Sequence, residues 1–110
     1  GLADALMMMK IRYDSDQALA ETDKMMRVIR DEAYKTSIEI GKEKGTFPLF
    51  QWEGYSKSKF IQSLPHEIRN DIKTHGIRNS TVLTVPPVGT GSIVAQTRSG
   101  IEPIFCTSYT

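Results

Sequence analysis

The chain has 110 residues, enough for one modest hydrophobic core, and its 14 Lys and Arg against 13 Asp and Glu leave a net charge of +1. That balance supplies no electrostatic case for nucleic acid or an acidic membrane surface. No apolar run of about 18 residues is present to cross a bilayer, and one cysteine, Cys106, excludes an internal disulfide framework and a multi-thiolate metal site.

Residues Gly1 to Met9 lack the basic start and small-residue cleavage site of a signal peptide, so a reducing, cytoplasmic setting is expected. Periodicity predicts a short helix over 1–12, with Leu2, Leu6 and Met9 on one face and Ala5 and Met8 beside them. The run Met7-Met8-Met9 reads as adaptable packing material rather than a docking surface. Tyr13-Asp14-Ser15 interrupts this pattern. Either Asp14 or Ser15 can cap the helix that follows, and Asp14 with Gln17 has the spacing of a capping box.

The next helix is predicted from Asp16 to Lys44. Ala18, Leu19, Met25, Met26, Ile29, Ala33, Ser37 and Ile40 recur at three- and four-residue steps and form its apolar stripe. Lys42 and Lys44 suit the negative end of the helix dipole, and Gly45 is a ready C-cap with Pro48 beyond it. Asp31 and Glu32 diverge on a helix, so they read as a solvated face rather than as paired catalytic carboxylates.

Residues 46–62 read as a connection anchored by Phe47, Phe50 and Trp52. Ser63-Leu64-Pro65 signals a helix start, and a short helix is predicted over 65–74 with Ile68 and Ile72 inward. His66 and His75 have neither the ligand count nor the spacing of a metal site and read as helix-terminal polar residues. A strand is predicted over 80–85, in Thr81-Val82-Leu83-Thr84-Val85, stopped by Pro86 and Pro87.

After that strand comes Val88-Gly89-Thr90-Gly91-Ser92 and a helix predicted over 90–97. A strand, a small-residue turn and a helix start together can hold an anion. Glycines let backbone approach a ligand, the first-turn N–H groups point outward, and Thr90 and Ser92 offer hydroxyls. Taken alone the signal is weak. No Lys-Ser/Thr pair follows as in a phosphate-binding P-loop, and Val94 stands where a dinucleotide fingerprint needs its third glycine. An ordinary glycine-rich turn accounts equally well for these residues. Glu102 reads as a structural carboxylate and Cys106 as a buried, inert thiol.

The longer string is more specific. Asn79-Ser80, Leu83-Thr84-Val85-Pro86-Pro87-Val88-Gly89-Thr90-Gly91-Ser92 and Ser99-Gly100-Ile101-Glu102-Pro103-Ile104-Phe105 resemble the C-terminal part of the catalytic barrel of ribonucleotide reductase large chains. Gly1-Leu2-Ala3-Asp4-Ala5-Leu6, Tyr13-Asp14-Ser15, Asp31-Glu32-Ala33-Tyr34 and Gly45-Thr46-Phe47-Pro48 fit the same pattern in the same order. The Pro-Val-Gly-Thr form of the turn looks most like the adenosylcobalamin-dependent class.

The resemblance implies a mostly α fragment of an α/β ten-stranded reductase barrel, with three to four helices and one or two short strands. It also implies a role for the turn, as the holder of the substrate's phosphates, through Pro87, Val88, Gly89, Thr90, Gly91 and Ser92. Where the family usually has threonine after the second proline this chain has Val88, and Gly91 replaces a frequent isoleucine, so backbone donors must carry the contact. The family's reaction replaces a ribonucleotide's 2′-hydroxyl by hydrogen, using a thiyl radical and two further cysteines; adenosylcobalamin generates the radical in this class.

One cysteine cannot fill those roles, so the expectation is a piece of a longer chain, inactive alone, whose partners are the ribonucleotide and the remainder of the reductase. A homodimer covering the apolar stripe is a further expectation. The competing reading is a non-enzymatic helical self-association module that binds no ligand.

Overall fold

The computed structural model describes residues 1–86, 89–96 and 100–101. Among these it is helical: α1 (Leu2–Met8), α2 (Asp16–Lys44), α3 (Trp52–Tyr55), α4 (Lys59–Gln62), α5 (His66–His75) and α6 (Gly89–Ala95). The chain forms two compact units, one of Gly1–Met25 with Thr84–Thr110, the other of Met26–Leu83.

The expected strand over 80–85 is not there, nor is any other strand among the described residues; 81–86 adopt no regular secondary structure. The expectation of a mostly α fragment with three to four helices and one or two short strands is corrected accordingly: six helices and no strand occur among the described residues. β-Branched residues favour a pleated, half-buried surface rather than an extended backbone as such. A strand also needs neighbours to take up its N–H and C=O groups, and a lone one is not stable in water. In this segment only Val82 packs against a core, while Leu83 and Val85 are exposed. The structure also adds two one-turn helices, α3 and α4, within the expected connection.

The unit of residues 26–83 holds the larger core. Tyr34 and Ile38 of α2 meet Ile61 and Leu64, Ile68 and Ile72 of α5, and Ile77, with Phe47, Phe50, Trp52, Tyr55 and Val82 packed around them. Phe47, Phe50 and Tyr55 form a ring cluster with centroids 5.5–5.7 Å apart, and Phe47 meets Phe50 edge-on. Apolar residues four apart, Ile68 and Ile72, place one face of α5 inward; Pro65 sits at its N-cap in extended backbone and Gly76 ends it at φ 77°.

In the other unit the core among the described residues is Leu6, Ile11 and Ala18, with Leu2 against them. Here α1 is shorter than the expected 1–12, because Lys10 turns to φ 59° and leaves helical geometry. Ala3 and Leu6 are its buried residues; Met9, expected on the inner face, is exposed along with Met7 and Met8. The cap of α2 is Ser15, whose Oγ accepts the Ala18 N–H at 3.1 Å. Asp14 turns away to pair with Arg12 at 2.6 Å.

The long helix shows where apolar periodicity misleads. Its residues buried against the larger core are Tyr34, Ser37, Ile38 and Gly41, whereas Leu19, Met26 and Ile29 of the expected stripe are exposed. Two apolar faces run along α2: of the expected stripe Ala18 and Ser37 are buried and Met25, Ala33 and Ile40 half-buried, while the pattern passes over Tyr34 and Ile38, which carry the larger core.

Candidate functional site

Of the six residues expected to hold phosphate, Pro87 and Val88 lie outside the described residues. The other four open α6. Gly89, Thr90 and Gly91 are exposed, and Ser92 is buried. The first N–H groups of an α-helix have no acceptor within it, so α6 presents donors on this exposed turn. Among the described residues nothing stands within 4 Å of a Cβ added at Gly89. The Ser92 hydroxyl donates to the Gly89 carbonyl at 2.7 Å, so it braces the turn from inside instead of facing outward with Thr90. In the same unit the Tyr13 hydroxyl donates to the Ile101 carbonyl. Glu102 and Cys106 lie outside the described residues.

A second constellation, not expected from the sequence, ties residues 76–79 to the C-terminal half of α2. The Ser37 hydroxyl donates to Asn79 Oδ1 at 2.9 Å and accepts the Asn79 N–H at 3.2 Å. The Ser37 carbonyl accepts the Arg78 N–H at 3.1 Å. Arg78 Nη1 then donates to the carbonyls of Lys44 and Gly45 at 3.1 and 3.3 Å, placing a cation on the negative end of α2. Gly41 makes the approach possible: a Cβ there would stand 3.1 Å from the Arg78 nitrogen. Ser37 is the one position on the predicted stripe that signalled this arrangement, since a serine among inward apolar residues needs a partner.

Beside this clamp Glu32, Ala33, Thr36, Ser37, Ile40, Asn79 and Val82 line an open groove of about 400 Å³. The two adjacent carboxylates part company: Asp31 pairs with Arg30 at 2.9 Å and Glu32 with Lys35 at 3.8 Å. Burial raises the Tyr34 hydroxyl's pKa, with Arg30 opposing. Burial pushes Tyr55 further, to about 12, with Tyr34 adding to the effect; its hydroxyl donates to the Ser80 carbonyl at 3.1 Å. No group of three or more His, Cys, Asp or Glu able to hold a metal ion occurs among the described residues, His66 and His75 included. None of the described helices is long and apolar enough to cross a membrane.

The profile of the ribonucleotide reductase barrel domain matches residues 1–110, and the chain belongs to that family. It is 36% identical over 110 residues to a vitamin B12-dependent ribonucleoside-diphosphate reductase of Mycobacterium tuberculosis, covering 100% of this chain and 14% of that protein. A protein of the same description from Thermoplasma acidophilum is 38% identical over 109 residues, covering 99% and 12%. A ribonucleoside-diphosphate reductase subunit alpha of Synechocystis is 30% identical over 119 aligned positions, covering 96% and 15%. The chain thus spans 12–15% of the length of these relatives.

Proposed function

We propose that this chain is the substrate-phosphate corner of a ribonucleotide reductase, in which Pro87, Val88, Gly89, Thr90, Gly91 and Ser92 receive the phosphates of a ribonucleotide. The observation that supports it most is the family match across all 110 residues, including this turn. The exposed backbone of Gly89, Thr90 and Gly91 adds a physical means. First-turn N–H groups and the positive end of the helix dipole attract the phosphate oxygens, and the Thr90 hydroxyl is a further donor. With Val88 in place of a hydroxyl residue, backbone donors supply most of the contact.

The parent enzyme is an oxidoreductase that replaces the 2′-hydroxyl of a ribonucleotide by hydrogen and acts in the cytoplasm. The names of the M. tuberculosis and T. acidophilum relatives favour adenosylcobalamin as its radical source. The described residues do not fit that group: the groove beside α2 is of drug-ligand size at about 400 Å³ and none of its lining residues is a histidine or cysteine. On this reading the cofactor sits with the remainder of the parent chain, and the 110-residue piece is expected to be inactive alone.

Titrating the chain with a nucleoside diphosphate, a nucleoside triphosphate and the bare nucleoside tests this. The amide signals of Gly89, Thr90, Gly91 and Ser92 should move with either nucleotide and stay in place with the nucleoside. Unmoved signals with both nucleotides would refute phosphate binding here.

A further inference from the structure

Along α2, Met26, Ile29, Ala33, Thr36 and Ile40 follow one another at steps of three, four, three and four residues, the spacing of a helix-packing seam. At 100° per residue this seam lies roughly 120° around the helix from the face that Tyr34, Ser37, Ile38 and Gly41 bury. Met26 is 45% exposed and Ile29 48% exposed. Ala33, Thr36 and Ile40 continue the seam as one wall of the open groove, with Asn79 and Val82 across from them. From Met26 to Ile40 the seam runs ~21 Å at 1.5 Å per residue, about four helical turns. Ala33 and Thr36 at its middle are small enough for another backbone to come close.

The charges beside the seam select what covers it. Glu32 and Glu39 are one heptad apart and border it directly. Their partners Lys35 and Lys42, at 3.8 and 2.9 Å, stand on the side away from the seam. On the other border Ser37 is already engaged with Asn79, and Arg30 with Asp31. The open edge therefore presents two carboxylates, each shared with a lysine on its far side. A second copy packed antiparallel would set Glu32 and Glu39 against their own counterparts, which like-charge repulsion opposes.

We propose that the Met26–Ile40 seam of α2 is a docking surface for an amphipathic helix that carries lysine or arginine along the edge meeting Glu32 and Glu39. The partner lays its apolar stripe into the groove between α2 and Val82, and its basic edge closes over the two carboxylates. This deepens the reading of the chain as part of a larger barrel, which would supply such a helix. The seam stands on geometry independent of the phosphate turn, so the nucleotide titration and the experiment below fail separately.

Two synthetic helical peptides with the same apolar stripe, one edged with lysine and one with glutamate, are titrated into the 110-residue chain. The lysine peptide should bind about tenfold more tightly, since two positions change from attraction to repulsion. The double variant Glu32→Lys/Glu39→Lys should reverse the preference. Ile29→Asp, an exposed position, should abolish binding while leaving the helical circular dichroism unchanged. Equal affinity for the two peptides, binding of neither, or a preference unaltered by charge reversal would overturn the proposal. So would a concentration-dependent dimer, seen by sedimentation, that Ile29→Asp dissociates and that excludes both peptides.

Discussion

The two units differ in how much apolar side chain they gather. Among the described residues, 26–83 enclose seven buried core residues ringed by five partly buried ones, while the other unit shows Leu6, Ile11 and Ala18 with Leu2. The larger core is also cross-tied by the Ser37, Arg78 and Asn79 hydrogen bonds, whose partners are 33 to 42 residues apart in sequence. The unit that carries the exposed start of α6 is the one with the fewer core residues among those described. The cross-tied unit thus carries most of the described core, and the other carries the exposed first turn of α6. Surfaces that meet ligands are commonly drawn from the less stable parts of a fold.

The sharpest way to break this contrast is to hollow out each core. Ile72 is fully buried, and Ile72→Ala should cost ~2–5 kcal/mol, measured by urea unfolding followed at Trp52. Leu6→Ala should instead release amide protection in α1 and leave the Trp52 transition nearly unchanged. A shared, equal loss would mean the two regions unfold as one.

Next in size are the glycines that close the larger unit. Gly76 sits at φ +77°, and a Cβ there would collide with the Thr46 methyl, so Gly76→Ala should cost about 2–3 kcal/mol through strain and clash. Gly45 has a similar φ of +88° but open space around it; Gly45→Ala should cost only about 1 kcal/mol. The difference between the two, read from thermal unfolding, isolates the steric part. Ser37→Ala should cost about 1–2 kcal/mol, because it leaves Asn79 without the hydroxyl that it both donates to and accepts from.

The smallest expected effect is a pH dependence confined to the larger unit. Tyr55 has its folded-state pKa raised from 10.0 to about 12, so the folded form holds its proton where the unfolded form releases it. The resulting stability is fully present below pH 10 and is lost as pH rises from 10 toward about 12. Alkaline unfolding followed by tyrosinate absorbance should show this slope, and Tyr55→Phe should flatten it.

The sequence made some of these features legible for physical reasons that can be named. The limits of α2 could be read because polar caps and C-terminal lysines bracket a long periodic run, and Ser15 does accept the capping N–H. The inner faces of α5 and the anchoring aromatics could be read because isoleucines four apart and clustered rings have few exposed alternatives. The core face of α2 could not, since two apolar stripes share the helix and periodicity alone does not say which is filled. The strand failed for a different reason: Thr81 to Val85 carries β propensity, but pairing depends on a neighbour that no local pattern encodes. The Ser37–Asn79 contact was equally hidden, because it joins residues 42 apart. Of the turn that opens α6, residue types and order were legible; the inward brace of Ser92 on Gly89 was not.

The attachment of residues 76–79 to α2 also sets where this chain can be cut. A protease cleaving just after Leu83 would leave the Arg78 lid on the helix end and the Ser37–Asn79 latch intact. Cleavage between His75 and Gly76 would detach the latch, the lid and the wholly buried Ile77 from covalent continuity with α5. The first product is a candidate for the smallest autonomously folding piece of the chain, and limited digestion should accumulate it.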